Sequence, residues 1–138
     1  MKIKIMLEPT AYMPVKAHNS DAGFDLKSRD SVIIPAHGDQ TFDTGVHIAI
    51  PEGYVGFLKS KSGLNIKHGL TGTGVIDAGY TGPIVVKLYN NSSFNYKVGL
   101  GDKLIQLVIL PIPEIELEQV NSLDSTERGD NGFGSSGI

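Results

Sequence analysis

Short runs of β-forming residues, each cut off by glycine or proline, constrain this chain more than any other feature. The 138 residues contain 17 glycines and 7 prolines. No segment of ten or more residues carries a convincing helical period. Lys2–Leu7 alternates lysine with apolar residues. Thr44–Ile50 puts Val46, Ile48 and Ile50 on one side before Pro51-Glu52-Gly53 turns the chain. Ser31–Pro35, Tyr54–Leu58, Ile84–Tyr89, Lys103–Leu110 and Ile115–Val120 continue the series. Many short strands between turn signals predict an all-β sandwich or barrel. The one helical candidate is Ser62–His68.

After Val120 the pattern stops. The stretch NSLDSTERGDNGFGSSGI is polar and glycine-rich, with a single phenylalanine. Such a segment buries too little apolar surface to offset its ordering entropy. The expectation is a core over residues 1–120 and a flexible arm over 121–138. A net charge of −3 and only local lysine clusters argue against a nucleic-acid face. No run is apolar enough for a membrane span. The absence of cysteine rules out disulfides and thiolate metal sites and fits a reducing cytoplasm.

Four stretches carry residue choices that a plain β-scaffold does not need. In Asp21-Ala22-Gly23-Phe24-Asp25-Leu26, two carboxylates flank a glycine at a strand entrance. In Lys59-Ser60-Lys61-Ser62-Gly63, ammonium and hydroxyl groups precede a helix start, a combination that suits an anion. The same pattern also reads as a serine N-cap beside solvated lysines. In Gly72–Gly82, one carboxylate, Asp77, and one phenol, Tyr80, project from a glycine-rich hairpin. Glycines there let a ligand approach the backbone, although a lone Asp in such a hairpin is also a common turn former. In Arg128–Gly137, an arginine fork for phosphate stands near Phe133, a flat face for a base. The glycines and Ser135-Ser136 add mobile amides and hydroxyls, which suits a lid over a nucleotide triphosphate.

Together and in this order, these stretches resemble the homotrimeric dUTP pyrophosphatase (dUTPase) family, which carries five ordered motifs. DAGFDL resembles the first, KSGLN the second, GVIDAGYTG the third, GDKLIQLVI the fourth and RGDNGFGSSG the fifth. They span Asp21 to Gly137. The resemblance implies a jelly-roll-like β-barrel trimer whose sites are shared between chains, with the polar arm serving a neighbour. It implies hydrolysis of dUTP to dUMP and pyrophosphate with Mg²⁺.

By position, Asp77 matches the carboxylate that activates the attacking water. Tyr80 matches the aromatic that packs on deoxyribose and leaves no room for a 2′-hydroxyl. Gln106 and Ser62 match residues near the α-phosphate, and Gly63 a backbone contact to the phosphates. Gly74 and Ile76 match the hairpin backbone that reads uracil. Arg128, Phe133, Gly134, Ser135 and Ser136 match the closing tail, and Asp25 the carboxylate that holds Mg²⁺ through water. Lys61 stands where the family usually has arginine, and keeps the charge without the bidentate fork. Thr71 stands where many relatives have asparagine.

Two other readings come with the resemblance. The fold family includes dCTP deaminases, but Ile84-Val85-Val86-Lys87 offers no glutamate suited to that reaction. The variant second and third motifs resemble those of phages and Gram-positive bacteria. Some virus and phage relatives also bind a regulatory protein, so such a partner is a second expectation.

Overall fold

The computed structural model describes residues 1–137. The chain order is β1 (Ile5–Leu7), β2 (Gly23–Lys27), β3 (Val32–Ile34), β4 (Asp39–Ile48), β5 (Tyr54–Lys59), α1 (Ser62–His68), β6 (Leu70–Thr71), β7 (Thr73–Ile76), β8 (Pro83–Asn90), β9 (Tyr96–Val98) and β10 (Lys103–Pro111). One four-stranded sheet runs β1-β4-β8-β6 and a second runs β2-β10-β5-β7, with β3-β9 as a two-stranded ribbon. Every pairing is antiparallel. The expected all-β, jelly-roll-like architecture with one short helix is present. Its strands group into two sheets and a ribbon and do not close into one continuous barrel.

The period-2 pattern does the folding. β8 alternates buried Ile84, Val86 and Leu88 with exposed Val85, Lys87 and Tyr89. From the other sheet, Leu26, Leu104, Ile105 and Leu107 join Phe42 and Val46 in one core. α1 has the bounds read from the sequence, but it buries none of its residues. It ends because Gly69 takes the left-handed conformation (φ 69°) and its N–H bonds back to Asn65, a stop that glycine adopts without steric cost.

The expected strand at Ile115–Val120 does not form. Residues 112–120 pair with no strand, and Ile115 and Leu117 are 71% and 92% exposed. The alternation of apolar residues with glutamate is real, but a strand needs a free sheet edge within reach. The strand series read from the sequence also lacked β2, β7, the first half of β4 (Asp39–Asp43) and two very short elements. β9 is only three residues long, and β6 only two.

Candidate functional site

Two clefts on the second sheet hold the candidates read from the sequence. The first, about 300 Å³, is lined by Ala17, Asp21, Gly23, Asp25, Lys61, Ser62, Gly63, Lys103 and Gln106 among others. Asp25 sits on β2 directly opposite Gln106 of β10 and is 4% exposed. Its two carboxylate oxygens each face an ammonium group, Lys61 Nζ at 2.5 Å and Lys103 Nζ at 3.2 Å. Burial pushes the Asp25 carboxyl up, but the two lysines outweigh it and hold its pKa below the usual 3.8. Lys61 and Lys103 thus stand together on Asp25, and Asp21 on the rim of the cleft balances the remaining charge.

Gln106 is fixed as well: its Nε2 donates to the Ser60 carbonyl at 3.1 Å. Gly23 lets Gln106 lie close, since a Cβ at residue 23 would come within 2.8 Å of Gln106 Oε1. The serine N-cap reading is corrected here. Lys61 is the N-cap residue of α1, and no side chain caps the helix. The structured serine is Ser60, which accepts from Gly72 N–H and donates to Gly72 C=O.

The second cleft, about 280 Å³, is lined by Leu58, Gly74, Ile76, Asp77, Tyr80 and Val85 with their neighbours. β7 is the edge strand of its sheet, so one row of its backbone N–H and C=O groups lacks a strand partner. Gly74 and Ile76 are two residues apart and turn the same way along the strand. Asp77 and Tyr80 are exposed on the segment that follows. The Tyr80 hydroxyl donates to the Pro83 carbonyl at 2.8 Å, which fixes its ring.

The structure thus divides the sequence-derived residues. Asp25, Lys61, Ser62, Gly63 and Gln106 share one cleft, and Gly74, Ile76, Asp77 and Tyr80 share the other. The clefts have no lining residue in common. From β2 to β7 there are three strand spacings, about 14 Å. Thr71 lines neither cleft. Its hydroxyl accepts from Asn91 Nδ2 at 3.0 Å. The arm residues line neither cleft. Arg128 Nε donates to the Asn131 carbonyl at 2.8 Å, and Phe133 is fully exposed.

Lys103 is the residue the sequence reading missed. Simple alternation along β10 sets Lys103 and Gln106 on opposite faces. A register shift between Lys103 and Ile105 breaks that alternation and brings both side chains to one cleft. The only sequence signal was its place in GDKLIQLVI.

Among the described residues, no group of three or more His, Cys, Asp or Glu is arranged to hold a metal ion. Asp25 still fits an indirect role. An ionised carboxylate has about four lone-pair sites, and the two lysines occupy two. The rest can accept from water on an ion whose other ligands are phosphate oxygens, the usual habit of Mg²⁺.

The dUTPase family profile matches residues 10–137. The deoxyuridine 5'-triphosphate nucleotidohydrolase of Yarrowia lipolytica is 42% identical over 142 residues, covering 100% of this chain and 90% of the relative. That of Leifsonia xyli is 43% identical over 129 residues, covering 91% and 85%. Among solved structures, the Staphylococcus bacteriophage 80alpha dUTPase with dUPNHPP superposes with a TM-score of 0.92 at 34% identity, covering 99% of both chains. A mutant dUTPase from phage phi11 of S. aureus, in which a structural Mg(II) ion is coordinated, gives 0.82 at 34% identity, covering 88% and 98%. With its two clefts, its motif order and these relatives in agreement, the chain belongs to the dUTPase family.

Proposed function

We propose that this protein hydrolyses dUTP to dUMP and pyrophosphate by attack of water on the α-phosphorus. The observation that carries the reading is the pairing of an edge-strand pocket with a separate cleft on the same sheet, where Lys61 and Lys103 stand with Ser62 and Gln106. Uracil is read by the open backbone row around Gly74 and Ile76. Its imide edge presents acceptor, donor and acceptor, and cytosine reverses part of that pattern. An unpaired buried polar group costs about 1–3 kcal/mol, which is where the discrimination arises. The Tyr80 ring packs on the deoxyribose and excludes a 2′-hydroxyl.

The Asp77 carboxylate takes a proton from the attacking water, whose oxygen bonds to the α-phosphorus as the bond to the bridging oxygen breaks. Pyrophosphate leaves with that electron pair. Lys61, Ser62, Gly63 and Gln106 hold the phosphates. Asp25 would hold Mg²⁺ through water, and the ion would supply positive charge against the phosphate oxygens. Arg128, Phe133, Gly134, Ser135 and Ser136 close over the nucleotide and exclude water.

The two clefts share no lining residue and the arm lines neither, which supports completion of each site by neighbouring chains, hence a homotrimer with shared sites. The reaction belongs in the cytoplasm, where it keeps dUTP from DNA synthesis and supplies dUMP for dTMP. Among the described residues, no helix is long and apolar enough to cross a membrane. The dUTPase of bacteriophage 80alpha is described as controlling transfer of virulence genes. We infer a regulatory protein partner as a second role for this chain; a variant that hydrolyses dUTP but no longer binds a regulator would separate the two.

Product chromatography with dUTP, UTP, dCTP and dTTP, with and without Mg²⁺, tests the reading. It expects dUMP from dUTP alone. Release of a deaminated nucleotide from dCTP, or equal use of UTP, defeats it. Removing residues 121–138 is expected to leave a folded protein with little dUTP turnover, and full activity in that truncation removes the arm from the mechanism.

A further inference from the structure

His47 joins the Asp77–Tyr80 segment to the opposite sheet. Its Nδ1 lies 2.6 Å from the Thr81 carbonyl oxygen and its Nε2 2.6 Å from Glu8 Oε2. A carbonyl and a carboxylate both accept, and neither donates. Only the imidazolium, with an N–H on each nitrogen, satisfies the two at once. A neutral ring must turn a lone pair toward one oxygen.

The segment it holds has few other ties. Tyr80 N–H donates to the Asp77 carbonyl at 3.2 Å, the Tyr80 hydroxyl to Pro83, and Gly79 N–H to the Ile50 carbonyl at a long 3.4 Å. Among the described residues, His47 is the only side chain from outside residues 77–83 that hydrogen-bonds this segment. We propose that His47 is a positioning residue for the dUTP pocket: as an imidazolium it latches Thr81 to Glu8 and so orients the Tyr80 ring.

The charges facing His47 support the latch. Glu8 follows β1, and Asp43 lies on β4 itself. Arg29 answers both, at 3.6 Å from Glu8 and 3.3 Å from Asp43. The cross-strand partners of His47, Met6 on β1 and Pro83 on β8, carry no charge. The hydrogen bond to Thr81, then that to Glu8, outweigh desolvation and raise His47 above its usual 6.5. For a raised pKa the sign is fixed. The latch is complete below 6.5 and is lost as pH rises through the higher folded value.

The proposal rests on the dUTP reading of the pocket, so its test has one arm without substrate. KM for dUTP is measured from about pH 6 to 9 in the parent, His47→Gln and Glu8→Gln. The parent KM is expected to climb about two- to tenfold through the His47 titration, the range one hydrogen bond commands. His47→Gln flattens that climb, and Glu8→Gln moves it to lower pH. The same KM profile in the parent and His47→Gln overturns the proposal. In the free protein, amide NMR signals of Thr81 and Gly82 are expected to titrate together with the His47 ring. Signals indifferent to that titration overturn the latch whether or not dUTP is the substrate. Coupled signals in a protein that ignores dUTP support the latch and defeat the dUTP reading alone.

Discussion

At the β2/β10 end of the second sheet a buried carboxylate, Asp25, faces two ammonium groups. At the β7 end another carboxylate, Asp77, stands exposed beside a phenol and an open strand edge. The first cleft is built from charge that the fold must neutralise, so its residues act on stability and on anion binding together. The second is built from backbone and from side chains whose loss costs the fold little. Two aspartates of identical chemistry thus take different work from burial and pairing together: the paired one becomes an electrostatic fixture, and the open one is free to meet water.

Asp77→Asn gives the sharpest break between the two ends. Turnover is expected to fall by about 10²–10⁴-fold, the range of a positioned general base, while dUTP binding and thermal stability stay near those of the parent. Single-turnover assays beside calorimetric titration check this. Undiminished hydrolysis assigns the base elsewhere.

Asp25→Ala is expected to do the reverse and damage the fold as well as activity. It leaves Lys61 and Lys103 facing each other without their anion. Removing one partner of a fully buried pair costs about 3–5 kcal/mol. Here the lysine side chains are 28% and 46% exposed, so about 2 kcal/mol is expected from denaturant midpoints. The pH dependence has the opposite sign to that of His47. A depressed carboxylate pKa contributes stability above the unfolded value of 3.8 that is lost as pH falls through the lower folded value. Acid titration of the parent against the variant reads this directly, and parallel acid curves would show that the lysine pair does not stabilise the carboxylate.

Phe133→Ala tests the arm that lines neither cleft. Loss of base stacking is expected to weaken nucleotide affinity by about 1–3 kcal/mol without moving the unfolding midpoint. Equal affinity by titration would leave the exposed ring without a role over the base. The smallest effect belongs to Tyr80→Phe. It removes one exposed hydrogen bond to the Pro83 carbonyl, for about 0.5–1.5 kcal/mol in dUTP affinity. A loss much larger than that would mean the hydroxyl itself touches the nucleotide.

Much of this molecule was legible in its sequence. Alternation found β5, β8, β10 and the second half of β4, since a strand with one buried face must repeat every two residues. Ser62–His68 was read as the one helical candidate, and the structure shows Gly69 ending it with the left-handed stop a helix needs. The motif order alone grouped Asp25, Lys61, Ser62, Gly63 and Gln106 with Asp77 and Tyr80 as candidates. Other features could not be read there. Ile115–Val120 has a strand's pattern and no strand, because pattern records an amphipathic preference and not the presence of a free edge.

What the sequence determined by itself was local: which residues face inward, where the chain turns, and which side chains are capable of the chemistry. Only the tertiary structure decided that Lys103 shares a cleft with Gln106, through a register shift invisible to alternation. It alone made β7 an edge strand with free backbone groups, and brought His47 within 2.6 Å of both Thr81 and Glu8. The reason is physical. Periodicity is set by neighbours along the chain, whereas a site is set by partners 34 to 46 positions away, such as Thr81 for His47 and Ser60 for Gln106, which meet only when two sheets close on one core.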